Sequence, residues 1–300
     1  MKQVVSISLG SSKRNGTTNA EFGGQEFQIK RMGTDGDKRI AAQLIRELDG
    51  QVDAIGLGGT DLYIYAGNNR YSFRESAALA ANAKITPVVD GSAIKNTLER
   101  RVVTYLTTKH GLNFKDKEAL VVCAVDRFGM AEALTAAGCR TIFGDLMFGL
   151  GIPVPITTLA GLARLANLVA PVITKLPVSL FYPTGDKQTE VTPKFERYFQ
   201  TASIIAGDFH FIRRYMPDNM KDKLIITNTV TEEDETLLRE RGVATLVTTT
   251  PEMGGRSFGT NILEGVLTAL SGKRPEQLTI NDYTYLIEQA GIEPRFKNLT

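Results

Sequence analysis

The sequence predicts an α/β protein of two domains, an N-terminal α/β domain with a mostly parallel sheet followed by a Rossmann-like, doubly wound domain. Three observations carry this. Short apolar runs alternate with segments of helical period, and the alternation stops at the polar, glycine-containing stretch KHGLNFKDKEA and then starts again. Most of the strand-like runs are continuously apolar, as strands covered on both faces must be. A chain of 300 residues, 42% of them hydrophobic, is long enough to bury two cores of ordinary size. The expected boundaries are residues 1–113 for the first domain and 114–258 for the second, with 259–300 forming helices that pack back on the first.

Taken in order, VVSISL is a strand and FQIKRMG a second, ending in TDGD, where Thr34, Asp35 and Asp37 suit the N-terminus of the helix DKRIAAQLIRELDG. Ile40, Ala41, Leu44, Ile45 and Leu48 make its apolar stripe, and Gly50 ends it. DAIGLGG is a buried-type strand, and LYIYAGNNRYSF is a hairpin about a Gly-Asn-Asn turn. The helix RESAALAANA, the strand TPVVDG and a long helix from about Ser92 to His110 complete the first half. After the linker come the strand ALVVCAV, the helix RFGMAEALTAAG, the strand CRTIFGD and an apolar helix cut by prolines. VSLFYP reads as a further strand and PKFERYFQTA as a helix started by proline. SIIAGDFHF, KLIITNTV and ATLVTTTP are strands, the last two separated by the helix TEEDETLLRERG. GTNILEGVLTALSG and TINDYTYLIEQAG close the chain as helices.

Charge and composition exclude several functions. With 35 Lys and Arg against 33 Asp and Glu, there is no field that would attract nucleic acid. Two cysteines, Cys123 and Cys139, are too few for a disulfide framework or a thiolate zinc site, and two scattered histidines add no metal set. The first apolar run is too short for a secretory signal, which predicts a cytoplasmic location. The longest apolar stretch, from Ile152, is broken by Pro155, Pro171 and Pro177 and carries Arg164, Asn167 and Lys175, so no membrane span is expected. Its helix near 157–170 is apolar nearly all round, which suits the core or a subunit interface, and the expectation is a homo-oligomer formed through it.

VVCAVDRFGMAEALTAAGCRTIFGD has the strand, turn, helix and strand of a dinucleotide-binding unit. The glycines that would let a backbone approach a pyrophosphate fall at Cys123, Val125 and Phe128, with only Gly129 nearby. Asp145, at the end of the second strand, stands about 20 residues beyond the turn, where an acidic residue binds the adenosine ribose of NAD in preference to NADP. Asp126 is a good helix N-cap, and as a carboxylate at the mouth it needs Arg127 to answer it if a pyrophosphate binds. The expected nucleotide contacts are therefore Asp126, Arg127, Phe128, Gly129 and Asp145, with Thr227 and Asn228 from the strand end TNTVTEED.

Ligands of open parallel sheets sit beyond the carboxyl ends of the strands. SLGSSKRN offers Ser11 and Ser12 there as a small cradle, and VDGSAIKN offers Asp90 and Lys95. Lys95 falls in the first helical turn, against the helix dipole. GDFHFIRRYMP gathers Asp208, His210, Arg213 and Arg214, an acid–base group beside cations that bind carboxylate or phosphate. TTTPEMGGRSFGTN adds Arg256 in a glycine-containing loop.

Taken together, ISLGSSKRN, GTDGD, VDGSAIKNTLERRVV, GDFHFIRRYMP and TTTPEMGGRSFGTN resemble a bacterial family labelled quinate/shikimate 5-dehydrogenase-like, along nearly the whole chain. That resemblance implies a substrate domain followed by a nucleotide domain, a Ser-x-Ser pair for the substrate carboxylate (Ser6 and Ser8), a catalytic lysine with a partner aspartate, and a nucleotide-binding turn at 123–129. Ser6 and Ser8 lie inside the first strand and Lys95 precedes Asn96-Thr97, where the family has its lysine after such a pair.

The expected activity is an NAD-dependent oxidation or reduction of a small hydroxy or keto acid. Lys95, with Asp90, or His210 would be the acid–base group, and Arg213 or Arg256 the carboxylate clamp. Two other classes stay open: a non-redox nucleotide or metabolite sensor, favoured by the missing glycines, and an S-adenosylmethionine-dependent transferase.

Overall fold

The computed structural model describes residues 1–66, 69–176, 191–253, 256, 257 and 259–300, with backbone only at 66, 252, 253, 256 and 257. Its first half contains β1 (Lys2–Ser8), β2 (Gly16–Phe22), β3 (Gln25–Gly33), α1 (Lys38–Leu48), β4 (Ala54–Gly58), β5 (Tyr63–Ala66), β6 (Asn69–Ser72), α2 (Arg74–Ala80), β7 (Val88–Val89) and α3 (Ser92–His110). The middle contains β8 (Glu118–Val121), α4 (Phe128–Ala136), β9 (Arg140–Phe143), a π-helical turn (Asp145–Gly149), α5 (Leu159–Ile173), α6 (Glu196–Thr201), β10 (Ile204–Ala206) and α7 (Phe209–Tyr215). β11 (Leu224–Thr227), α8 (Glu232–Glu240), β12 (Thr245–Thr248), β13 (Glu252–Met253), β14 (Arg256–Ser257), α9 (Thr260–Ser271), α10 (Ile280–Gln289) and β15 (Arg295–Asn298) follow.

The fold is α/β with two largely parallel sheets. The first has the order β2-β3-β1-β4-β7 and the second β15-β12-β11-β10-β8-β9. In the first, β3, β1, β4 and β7 run parallel, although β3 alternates apolar and polar residues instead of forming a continuous apolar run, and β2 is an antiparallel edge. β2 carries no apolar alternation because nearly all of it faces solvent, so its sequence reads as a loop. In the second sheet β15 pairs antiparallel with β12, so the end of the chain returns to this sheet after α9 and α10.

Helices cover both faces of each sheet. Val5, Ile7, Ile55 and Leu57 meet Ala41 and Ile45 of α1 on one face of the first sheet, and Val4 and Ala54 meet Leu263 and Val266 of α9 on the other. α3 serves both sheets: Ile94 and Leu98 join the core under the first, while Val102, Val103 and Leu106 join the core under the second. It begins after Gly91, at φ 93°, where a Cβ would lie 2.5 Å from the backbone nitrogen of Asn261. Only glycine lets the start of α9 approach that closely.

Several local expectations change. SIIAGDFHF is not one strand: β10 stops at Ala206, and Asp208 caps α7 by accepting from the His210 backbone N–H at 2.9 Å. The helix in PKFERYFQTA begins at Glu196, three residues beyond its proline. Pro171 does not end α5: it lies in the last turn, where it removes one intrahelical hydrogen bond, the one to the Asn167 carbonyl; Leu162, Ala166 and Ala170 are buried while Leu168 and Val172 are exposed. VSLFYP lies outside the described residues. No helix among those described is long and apolar enough to cross a membrane.

Candidate functional site

Each sheet reverses its winding beside its first strand. In the second sheet the chain goes from β8 to β9 on one side and then crosses to β10 on the other, so the loops after β8 and β10 diverge and leave a crevice. The residues at this switch point are Asp126 and Arg127 after β8 and Asp208 after β10. α3 crosses the same place and presents Lys95 and Glu99, one turn apart on one face.

These side chains form one nearly buried charge network. Lys95 Nζ lies 2.6 Å from Asp126 Oδ1, the two side chains being 12% and 14% exposed. Arg127 donates from Nη1 to Glu99 Oε1 at 2.6 Å and from Nη2 to Asp208 Oδ2 at 2.9 Å, and its Nε is 3.6 Å from Asp126 Oδ2. Asn228 Nδ2 donates to Asp208 Oδ2 at 2.8 Å and Asn228 Oδ1 accepts from the Phe209 N–H, so Asn228 ties α7 to the end of β11. Burial alone would lower the Lys95 ammonium, but the Asp126 carboxylate, with Asp61 and Glu99, more than offsets this and holds it raised. Burial pushes the Glu99 carboxyl up against the pull of Arg127 and Lys95, whereas Asp208 is held low because Arg127 and His210 outweigh its burial.

A narrow, partly open cleft lies against this network, with about 10 Å³ of room inside it, enough for roughly one water. Lys95, Asn96 and Ser92 from α3, Tyr63 and Tyr65 from β5, and Asp126 and Phe128 from the turn and α4 line it. The β5–β6 hairpin, α3 and the turn after β8 thus all contribute to its wall. An ammonium, two phenols, an amide and a hydroxyl around one cavity match a ligand with several oxygens.

The other expected site residues fall elsewhere. Asp90 accepts from the backbone N–H groups of Leu62, Tyr63 and Ser92 and from Ser92 Oγ, which makes it an organiser of the cavity wall; the aspartate that meets Lys95 is Asp126. Asp126 is accordingly not the N-cap of α4, a position held by Arg127 without a side-chain cap bond. His210 is exposed on α7, and Arg213 pairs with Asp234 at 2.6 Å; neither lines the cavity. Ser11 and Ser12 stand in a 3₁₀ turn after β1, where Ser11 Oγ accepts from Lys13 N–H and Ser12 N–H donates to Asp35. Ser6 Oγ accepts from Asn261 Nδ2 at 2.8 Å and Ser8 Oγ from Arg31 Nη2 at 3.0 Å, so both are engaged within the fold. Thr227 is buried and donates to the Gly207 carbonyl at 2.8 Å. The backbone of Arg256 is in β14, and its side chain lies outside the described residues. Sequence reasoning misses Glu99, Tyr63 and Tyr65. Only Glu99 leaves a signal, its i+4 spacing from Lys95.

The turn after β8 does not fit a dinucleotide. The Asp145 carboxylate accepts from the Val125 N–H at 2.8 Å and the Ala124 N–H at 3.1 Å, taking backbone donors that a pyrophosphate would need. Arg127 is committed to Glu99 and Asp208. At Gly129 a Cβ would meet Asn96 Oδ1 at 2.5 Å and the Asn96 carbonyl at 2.7 Å, so this glycine serves the close packing of α4 on α3. Burial, with the charges of Asp145, Asp126 and Asp208, pushes the neighbouring Cys123 thiol well up, the opposite of an activated cysteine. Among the described residues no group of three or more His, Cys, Asp or Glu is arranged to hold a metal ion.

A second pair of buried carboxyls lies behind the cavity wall. Glu264 of α9 accepts from Tyr283 Oη at 3.2 Å, and its carboxyl is pushed up to about 8, first by burial and then by the charge of Asp90. The folded chain therefore holds this proton more tightly than the unfolded chain, whose glutamate has the ordinary value of 4.5. The stability it contributes is fully present below about pH 4.5 and is lost as pH rises through about 8. Glu264→Gln is expected to abolish this loss and to stabilise the protein at pH 8 by on the order of 2 kcal/mol, read from urea midpoints at pH 5 and pH 8.

Fold and site define an α/β protein of two parallel-stranded sheets with a polar cavity at the switch point of the second. Residues 93–299 match the model of a family described as Domain of unknown function (DUF8754), and the chain belongs to that family. Residues 3–90 match a second model, Domain of unknown function (DUF8753). No curated protein matches the chain. Among solved structures it is similar to a galactofuranose binding protein, with 13% identity, coverage of 97% of this chain and 99% of that one, and a TM-score of 0.37. It is also similar to an NAD-dependent malic enzyme from Thermotoga maritima, with 13% identity, coverage of 97% and 84%, and a TM-score of 0.36. Likeness this distant assigns neither a ligand nor a reaction.

Proposed function

We propose that the protein binds a small hydroxylated carboxylic acid at the mouth of this cleft, which widens to admit it, and that the Lys95–Asp126 pair exchanges a proton with the hydroxyl or carbonyl oxygen of that ligand. The observation that carries this reading is the pair itself: an ammonium and a carboxylate in contact, nearly buried and facing a cleft walled by the β5–β6 hairpin, α3 and the turn after β8. The ammonium has three donors and gives one to Asp126, which leaves donors for a ligand oxygen. A proton donor fixed beside a ligand oxygen is what acid–base catalysis on a hydroxy or keto acid requires. This keeps the substrate class of the quinate/shikimate resemblance and replaces its acid–base partner, Asp126 standing where Asp90 was expected. No step is derived through NAD, because the turn that would hold it is filled.

The same filled turn favours a second reading, a metabolite-binding protein without redox chemistry. It equally disfavours an adenosyl cofactor, since Asp145 is not free for a ribose. Mass spectrometry of small molecules released by denaturing the natively purified protein tests the proposal. The expected result is a hydroxylated carboxylic acid in near-stoichiometric amount; a stoichiometric neutral sugar or intact dinucleotide would refute it.

A further inference from the structure

At the carboxyl end of β8 two successive backbone N–H groups, those of Ala124 and Val125, point to one spot, and both oxygens of the Asp145 carboxylate are there, at 3.1 and 2.8 Å. Convergent amides just before a helix, at the switch point of a parallel sheet, are the donors that hold a ligand phosphate in a nucleotide-binding fold. The residue that supplies the carboxylate stands at the end of the next strand, where such folds place the acid that binds a ribose. In this chain that acid turns back to the amides. It can do so because β9 stops at Phe143 and the chain enters a π-helical turn at Asp145, with Gly144 between them.

We infer that Asp145 is a built-in substitute for a ligand phosphate, so that the turn after β8 is an anion site closed to dinucleotides by the chain's own side chain. The surroundings support this independently. Asp126 and Asp208 join Asp145 around Cys123, and the cations at hand, Lys95 and Arg127, are already paired. An incoming pyrophosphate would meet filled amides, the Asp145 carboxylate itself and cations already engaged by Asp126, Glu99 and Asp208. Any phosphorylated ligand bound on the Lys95 side must then leave its phosphate outside this turn.

Isothermal titration of the full chain with inorganic pyrophosphate and with ADP-ribose, in the unsubstituted protein and in Asp145→Ala, decides the matter. The expected result is no saturable binding of either by the unsubstituted protein and at least tenfold tighter binding of pyrophosphate by Asp145→Ala. Saturable binding of ADP-ribose that Asp145→Ala weakens would overturn the inference, and so would a lack of pyrophosphate binding by both forms. If Asp145→Ala does not fold, the backbone amide resonances of Ala124 and Val125 in the unsubstituted protein serve instead. They should titrate with the Asp145 carboxyl, near pH 6, and stay unmoved by pyrophosphate; a shift on adding pyrophosphate would contradict the assignment.

Discussion

Arg127→Ala is expected to destabilise the protein by about 3 to 5 kcal/mol, the cost of leaving buried charges without their counter-charge. The guanidinium is 4% exposed and joins Glu99, which is 1% exposed, to Asp208, which is 17% exposed. Removing it strands two carboxylates, of which Glu99 is already pushed up by burial and has a second oxygen with no hydrogen-bond partner. The same guanidinium ties α3 to the turn after β8 and to the end of β10, so without it the switch point keeps only Lys95–Asp126 between α3 and the turn. Urea denaturation at neutral pH measures the effect. Adding Glu99→Gln to Arg127→Ala should recover part of the stability, because one stranded charge is removed with it. A destabilisation below about 1 kcal/mol, typical of exposed ion pairs, would mean that the network is solvated.

Lys95→Met is expected to weaken binding of a hydroxylated acid such as quinate by about 100-fold or more, as truncating one member of a buried charged pair does at an interface. Methionine keeps much of the length and apolar bulk of the lysine stem, so the change in affinity reads the ammonium. Asp126→Asn should cost less in affinity, because the ammonium that meets the ligand remains. It should cost more in any turnover, because the lysine loses the carboxylate that positions it. A shared, small effect of both changes would place the ligand elsewhere.

Much of this architecture is legible in the sequence, for physical reasons that differ by element. α3 can be read to its ends because helix-compatible residues run unbroken between Gly91 and Gly111, both in the left-handed conformation. The parallel strands can be read because burial on both faces demands continuous apolar runs. β2 and β15 cannot, since edge strands of polar residues are held by their neighbours' backbone and leave little trace of their own. DFHF looks like strand because its apolar residues alternate, yet Asp208 at the first position caps a helix, and the helix is what forms.

At the site, residue types are easier to read than partnerships. Lys95 is conspicuous as a cation in a first helical turn, but its partner lies 31 residues away on another element, beyond any local pattern. Asp145 has the spacing of a ribose-binding acid and the opposite role, because spacing along the chain does not say which way a side chain turns at the end of a short strand. The Asp208, His210, Arg213 and Arg214 cluster is dense in sequence and dispersed in space. A seven-residue helix sends Asp208 into the network, Arg213 to Asp234 and His210 to solvent.

On the proposed function, the ligand is held at Lys95 and Asp126 and not at the turn closed by Asp145. Calorimetric titration of quinate, or of the acid released from the native protein, into Lys95→Met and Asp145→Ala tests it most directly. The structure predicts that binding is lost in Lys95→Met and stays within about threefold of the unsubstituted protein in Asp145→Ala, a difference of about 0.7 kcal/mol at most. Binding lost in Asp145→Ala and retained in Lys95→Met would contradict it.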